Sequence, residues 1–122
     1  MKTNFQMVQE FHQTFECLRN DTPVILELAD WNLRVKLMEE ELAEVRKAYA
    51  NQDRINIAKE LADLLYVVYG TADSCGIDID KVFEEVHKSN MSKLDKDGKV
   101  LRREDGKVLK SELYREPDLT WL

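Results

Sequence analysis

Residues 39–44 read Glu-Glu-Glu-Leu-Ala-Glu, and residues 57–68 read Ile-Ala-Lys-Glu-Leu-Ala-Asp-Leu-Leu-Tyr-Val-Val. Neither stretch contains Gly or Pro, and both are rich in strong helix formers. On a projection of roughly 100° per residue, Glu41 and Glu44 fall among Leu33, Leu37 and Ala48. Glu40 borders that face and Glu39 points away from it. In the second stretch, which is apolar nearly all round, Val67 and Leu64 flank Glu60, and Asp63 faces the same way.

A solvated charged face would pair its acids with bases four residues on. Here those positions hold Ala43, Glu44, Val45 and Ala48 after the four glutamates, and Leu64 and Val67 after Glu60 and Asp63. Each helix therefore presents two acids at i,i+3 on an apolar face. Packed antiparallel, the two helices would bring four carboxylates together. Two carboxylates about 5 Å apart repel by roughly 3 kcal/mol at an effective dielectric of 20. Such a group requires protonation, neutralisation by Arg34, Arg54 and Lys59, or a bound cation. Oxygen-only donors select a hard ion, Mg²⁺ or Mn²⁺.

Outward from this pair, the pattern stays helical. Phe5, Val8, Phe11, His12 and Phe15 recur at helical spacing, which predicts a helix from Asn4 to Arg19, stopped by Asn20-Asp21-Thr22-Pro23. Residues 24–31 are ambiguous, with room for one or two helical turns. A long helix is expected over 32–50, a third from an Asp53 cap to Tyr69 with Gly70 near its end, and a fourth from Asp78 or Asp80 to about Ser89. Asp-Gly-Lys-Val-Leu occurs at 97–101 and again at 105–109. Asp105-Gly106 is a turn signal, so the tail is expected to form a short β-hairpin or an ordered loop. The apolar end, Leu119, Trp121 and Leu122, suggests that this tail docks.

The 122 residues fit a single domain, with a helical body over about 4–92 and a tail over 93–122. Two prolines and four glycines are too few for a sandwich of short strands. The net charge of −6 sits in the body, and the balance turns slightly positive from Lys93 onward. An acidic body is a poor duplex nucleic-acid binder, so no nucleic-acid partner is expected. No apolar run approaches a membrane span and no signal peptide is evident, so a cytoplasmic protein with two reduced thiols, Cys17 and Cys75, is expected.

Glu40-Glu41-Leu42-Ala43-Glu44, followed after fifteen residues by Glu60-Leu61-Ala62-Asp63, resembles the Glu-Glu-x-x-Glu … Glu-x-x-Asp motif of the all-α nucleoside triphosphate pyrophosphohydrolases. That superfamily includes MazG, the dimeric dUTPases and phosphoribosyl-ATP pyrophosphohydrolase. The core resemblance covers residues 33–90. Phe11-His12, the run Lys88 to Lys93, and Gly106-Lys107-Val108-Leu109-Lys110 with Tyr114 and Pro117-Asp118 look like a MazG-like subgroup related to the dimeric dUTPases. This tail departs from the histidine-pathway enzyme.

The resemblance implies a four- to five-helix MazG-like bundle. It also implies Mg²⁺-dependent hydrolysis of a nucleoside triphosphate to the monophosphate and pyrophosphate, in nucleotide-pool house-cleaning. It makes Glu41, Glu44, Glu60 and Asp63 metal ligands and gives Glu40 a role with a further metal or the attacking water. It associates Asn90 and Lys93 with substrate, and makes Lys107, Lys110 and Tyr114 candidate phosphate or sugar contacts. A homodimer or homotetramer is the implied assembly. The alternatives are phosphoribosyl-ATP as substrate, or a non-catalytic module that senses a nucleotide or metal.

Other chemistries fit less well. Glu84-x-x-His87 lacks the second such pair that a di-iron bundle needs. No Walker-spaced glycine loop is present. His12, Phe11, Phe15 and Trp31 read as core or interface, with a nucleobase pocket as the functional alternative.

Overall fold

The computed structural model describes residues 1–122. The protein is all-α, as expected, with four helices in chain order: α1 (Asn4–Thr14), α2 (Leu28–Ala50), α3 (Arg54–Ser74) and α4 (Ile79–Met91). None is long and apolar enough to cross a membrane. The chain divides into two compact units, Met1–Ile79 and Asp80–Leu122.

In the first unit, α1 opens with a capping box. The Thr3 hydroxyl accepts from the Gln6 N–H at 3.1 Å, and the Gln6 side chain accepts from the Thr3 N–H at 2.8 Å. The helix ends at Thr14, short of the expected Arg19. Glu16 adopts a left-handed φ of 58°, and the Cys17 N–H turns back to the His12 carbonyl at 2.9 Å. The same stop closes α2, with Gln52 at φ 53° and the Asp53 N–H on the Ala48 carbonyl at 3.3 Å. It closes α3 as well, where Gly76 takes φ 68° and the Ile77 N–H reaches the Ala72 carbonyl at 2.9 Å. A Cβ at Gly76 would lie 2.0 Å from the Thr22 carbonyl oxygen, so the turn requires glycine.

The helix α2 starts at Leu28 and absorbs part of the ambiguous stretch. The helix α3 starts from the expected cap, where the Asp53 carboxylate accepts from the Asn56 N–H at 3.0 Å. It then runs past Gly70 to Ser74. Gly70 is a point of close approach and not a stop, because a Cβ there would lie 2.4 Å from Arg34 Nη2 and 2.8 Å from His12 Nε2. Arg34 uses this space to donate to the Val67 carbonyl at 3.0 Å and to the Thr71 hydroxyl at 3.2 Å. Arg34 of α2 thus meets Val67 and Thr71 of α3, whereas Glu41, two turns further along α2, meets Glu60 and Asp63. The two helices run antiparallel.

A polar knot holds α1 and its connection against the end of α3. Asp73 is 1% exposed. It takes 2.9 Å bonds from His12 Nδ1 and Arg19 Nε, and a 3.3 Å bond from Arg19 Nη2. The Ser74 hydroxyl donates to the Leu18 carbonyl at 2.8 Å, and the Asn20 amide donates to the Ser74 carbonyl at 2.7 Å. Every buried side-chain donor and acceptor has a partner.

In the second unit, the tail is tied to α4 by its serines. The Ser89 hydroxyl donates to the Arg115 carbonyl at 2.7 Å, and the Ser92 hydroxyl accepts from the Arg115 N–H at 3.0 Å. Lys81 lies over the Trp121 ring at 4.2 Å. The Asp105-Gly106 turn forms, with a single antiparallel bridge between Arg102 and Val108 and no strand. Cys17 and Cys75 are free thiols.

Candidate metal centre

Because α2 and α3 are antiparallel, acids placed mid-helix on their facing sides come together. One carboxylate oxygen each from Glu41, Glu60 and Asp63 lie within 4.8 Å of one another. Glu60 is buried, and Glu41 and Asp63 are half-buried. Octahedral Mg²⁺, with ligand distances of about 2.1 Å, needs oxygens roughly 3–4 Å apart, so small side-chain rotations suffice to close the group on an ion. The donor set is all oxygen, the kind such an ion prefers.

Glu44, expected beside these three, is exposed and lies outside the group, although its charge still reaches Glu41. Glu40 is exposed at the border of the face. The Glu41 carboxyl is held above its ordinary range, first by desolvation and then by the charges of Asp63 and Glu60. This is the electrostatic conflict expected of crowded carboxylates.

No base follows these acids by four residues, but one precedes Asp63 by four. Lys59 precedes Asp63 by four residues and bonds it at 2.8 Å, and it also reaches Glu60 at 3.3 Å. Arg34 is engaged elsewhere, with Val67 and Thr71.

The remaining candidates belong to the second unit. Asn90, Lys107 and Lys110 are exposed, and Lys93 and Tyr114 are half-buried. Lys110 sits over the Tyr114 ring at 4.5 Å and 3.7 Å from Glu116, and the Tyr114 hydroxyl donates to Glu116 at 3.2 Å. Two of the tail candidates, Lys110 and Tyr114, thus gather on Glu116.

The sequence also did not reveal the partner of His12. Burial lowers the His12 pKa, with Arg34 and Arg19 acting in the same direction and Asp73 opposing. An acid at the polar end of an apolar helix gives no periodic signal. Phe11 and Phe15 pack with tilted rings 4.4 Å apart, with Tyr66 edge-on to Phe11 at 5.5 Å, and Phe11, Phe15 and Trp31, expected as core or interface, remain accessible at the surface.

The family model for phosphoribosyl-ATP pyrophosphohydrolase matches residues 8–90. The chain belongs to the phosphoribosyl-ATP pyrophosphohydrolase family. That family is part of the all-α MazG-like superfamily, and its match spans the acid-bearing helices and stops where the divergent tail begins. The chain is also similar to "Uncharacterized protein L479" of Acanthamoeba polyphaga mimivirus, with 34% identity over 101 residues. The alignment covers 79% of this chain and 38% of that protein, so the chain spans well under half the length of the curated relative it matches.

Proposed function

We propose that the protein is a pyrophosphohydrolase that cleaves a nucleotide between its first and second phosphates, releasing pyrophosphate and a monophosphate. The observation that carries this reading is the convergence of Glu41, Glu60 and Asp63 from two antiparallel helices in a chain of this family. These three residues would hold Mg²⁺ or Mn²⁺, and Glu44 is the fourth ligand that the resemblance implies. A bound divalent ion supplies charge neutralisation of the phosphates and a more acidic water.

The chain's own residues supply the rest. Buried Glu60 anchors the site at fixed depth, and Glu41 and Asp63 complete it from the accessible side. Glu40 is assigned to orient the attacking water, whose oxygen bonds to the first phosphorus as the bridging P–O bond breaks, its electron pair leaving with pyrophosphate and the water's proton passing to solvent. Asn90, Lys93, Lys107, Lys110 and Tyr114 are assigned to the anionic substrate. Lysines suit that task as mobile point charges.

Two substrate classes are supported by different observations. The tail, with Lys107-Val108-Leu109-Lys110 and Tyr114, resembles the dUTPase-related subgroup and favours a nucleoside triphosphate. The family match favours phosphoribosyl-ATP. A panel of ribo- and deoxyribonucleoside triphosphates, with phosphoribosyl-ATP beside them, assayed for pyrophosphate release with Mg²⁺ or Mn²⁺, decides between them. No turnover of any member would leave the chain as a binding module and refute the enzymatic reading.

The assembly is read as a homo-oligomer. Leu28, Trp31, Val35, Met38, Leu42, Val45 and Tyr49 alternate at spacings of three and four along α2, and none of them is buried. A seven-residue apolar seam of this kind is the surface that a second helix covers.

A further inference from the structure

The acidic group already contains one positive charge. Lys59 Nζ lies 2.8 Å from Asp63 Oδ2 and 3.3 Å from Glu60 Oε1, and the lysine side chain is 67% exposed. Glu41 makes no ion pair with it or with any other base. A lysine placed before its acid by four residues has the poorer orientation for stabilising a helix, so helix stability alone gives little reason for the contact. Its effect falls on the acids themselves, because one ammonium engages two of the three carboxylates that face one another.

We propose that Lys59 is a tethered competitor of the divalent cation. Its ammonium holds Glu60 and Asp63 while no ion is bound and leaves both when one binds, so that Lys59 sets the ion affinity of the site. The inference rests on the metal reading given above. Three features of the contact support it. An ammonium on Glu60 Oε1 and Asp63 Oδ2 occupies lone pairs that a divalent cation could use, and its positive charge repels that cation. The lysine lies on the solvent side of the group, on a flexible four-carbon stem, so it can swing out into water without breaking any packing. Buried Glu60, which water reaches poorly, gains most from a substitute cation when the ion is absent. Exposed ion pairs are individually weak, so the competition should shift affinity several-fold and not abolish binding.

The test is calorimetric titration of Mn²⁺ and of Mg²⁺ into the full chain, with melting curves in the presence and absence of the ion. Lys59→Met keeps the length of the side chain and removes the charge, and Lys59→Arg keeps the charge. Lys59→Met is expected to bind the ion roughly fivefold more tightly, the yield of two weak pairs made by one exposed lysine. It should also melt lower than the wild type without the ion and show the larger rise when the ion is added. Lys59→Arg should bind no more tightly than the wild type and melt like it without the ion. Equal or weaker binding by Lys59→Met, in a protein whose ion uptake is lost in Glu60→Gln, would overturn the role of Lys59 and leave the metal reading standing. No ion uptake by the wild type and Lys59→Met alike would refute the metal reading, and this role with it.

Discussion

Replacing Glu41 with Gln removes one of three like charges from a crowded site and leaves a side chain of the same shape. Desolvation and the neighbouring charges of Asp63 and Glu60 raise the Glu41 pKa, so its ionised form is a cost to the folded protein. That cost is absent below the ordinary value of about 4.5 and grows as the pH rises past it. At neutral pH, Glu41→Gln should therefore melt at or above the wild type without a metal. With millimolar Mg²⁺ the order should reverse, because the wild type gains about 2.7 kcal/mol at a hundredfold excess over the dissociation constant and the variant loses a ligand. Turnover should fall at least tenfold, and a variant with wild-type kcat would remove Glu41 from the ligand set. His12 behaves in the opposite sense. It is packed against Asp73 of α3, Arg34 of α2 and Arg19 of the connection that follows α1, and burial depresses its pKa below 6.5. The folded state therefore prefers the neutral ring. Its contribution is complete above about pH 6.5 and is lost as the pH falls below that value. His12→Asn retains a donor near Nδ1 but cannot titrate, so the decline in urea stability between pH 6.5 and 5 should be shallower in this variant. Parallel wild-type and variant profiles would show that the ring does not contribute.

At the scale of single elements, Gly70 is the most informative position. An alanine in the interior of α3 would gain about 1 kcal/mol of helix propensity over glycine. Its Cβ would also intrude on Arg34 Nη2 and His12 Nε2, at 2.4 Å and 2.8 Å. Arg34 would then have to give up the Val67 carbonyl and the Thr71 hydroxyl, its two bonds to α3. Overpacking typically costs 1–3 kcal/mol, and a broken buried bond adds to that. Gly70→Ala should therefore destabilise the fold by about 1–3 kcal/mol, measured by chemical denaturation, and an unchanged or raised midpoint would show that the two side chains can move aside. The same residue shows what the sequence could and could not convey. Helical periodicity located α2, α3 and α4 and placed Glu41, Glu60 and Asp63 on facing sides, because burial selects residues with the period of the helix. The ends were less legible. Glu16 closes α1 in a left-handed conformation that its residue type does not advertise, so α1 stops at Thr14, short of the expected Arg19, whereas α2 ends at Ala50 as expected. Gly70 read as a stop because only the folded structure shows the histidine and arginine that occupy the space of its missing side chain. Glu44 lies outside the acidic group because a projection gives an angle around the helix but not the distance to a neighbouring one.

At the scale of the whole molecule, the balance between buried and exposed apolar side chains points to association. The buried apolar side chains are Phe5, Val8, Ala48, Ala72 and Cys75, which are mostly small. Leu28, Leu42 and Tyr49 on α2 and Ile55, Leu61 and Leu65 on α3 all remain exposed. Burying one such side chain contributes about 1.5–3 kcal/mol, so covering this set outweighs what the buried residues provide within one chain. A second copy would supply the required surface, because the seam along α2 has the heptad spacing that an identical seam can match. A stable pairing of this kind removes about 800 Å² from each partner. The melting temperature should therefore rise with protein concentration, and sedimentation at micromolar concentration should give a mass at least twice that of the chain. Leu42→Glu puts a charge in the middle of the seam, at a position already accessible in the single chain, so it should not disturb the contacts within α1, α2 and α3. It is expected to produce a species of single-chain mass with a lower melting temperature that no longer depends on concentration. Wild-type sedimentation at the mass of one chain, with a melting temperature constant over a hundredfold range of concentration, would refute the oligomer. The apolar stripe on α2 would then need a different occupant.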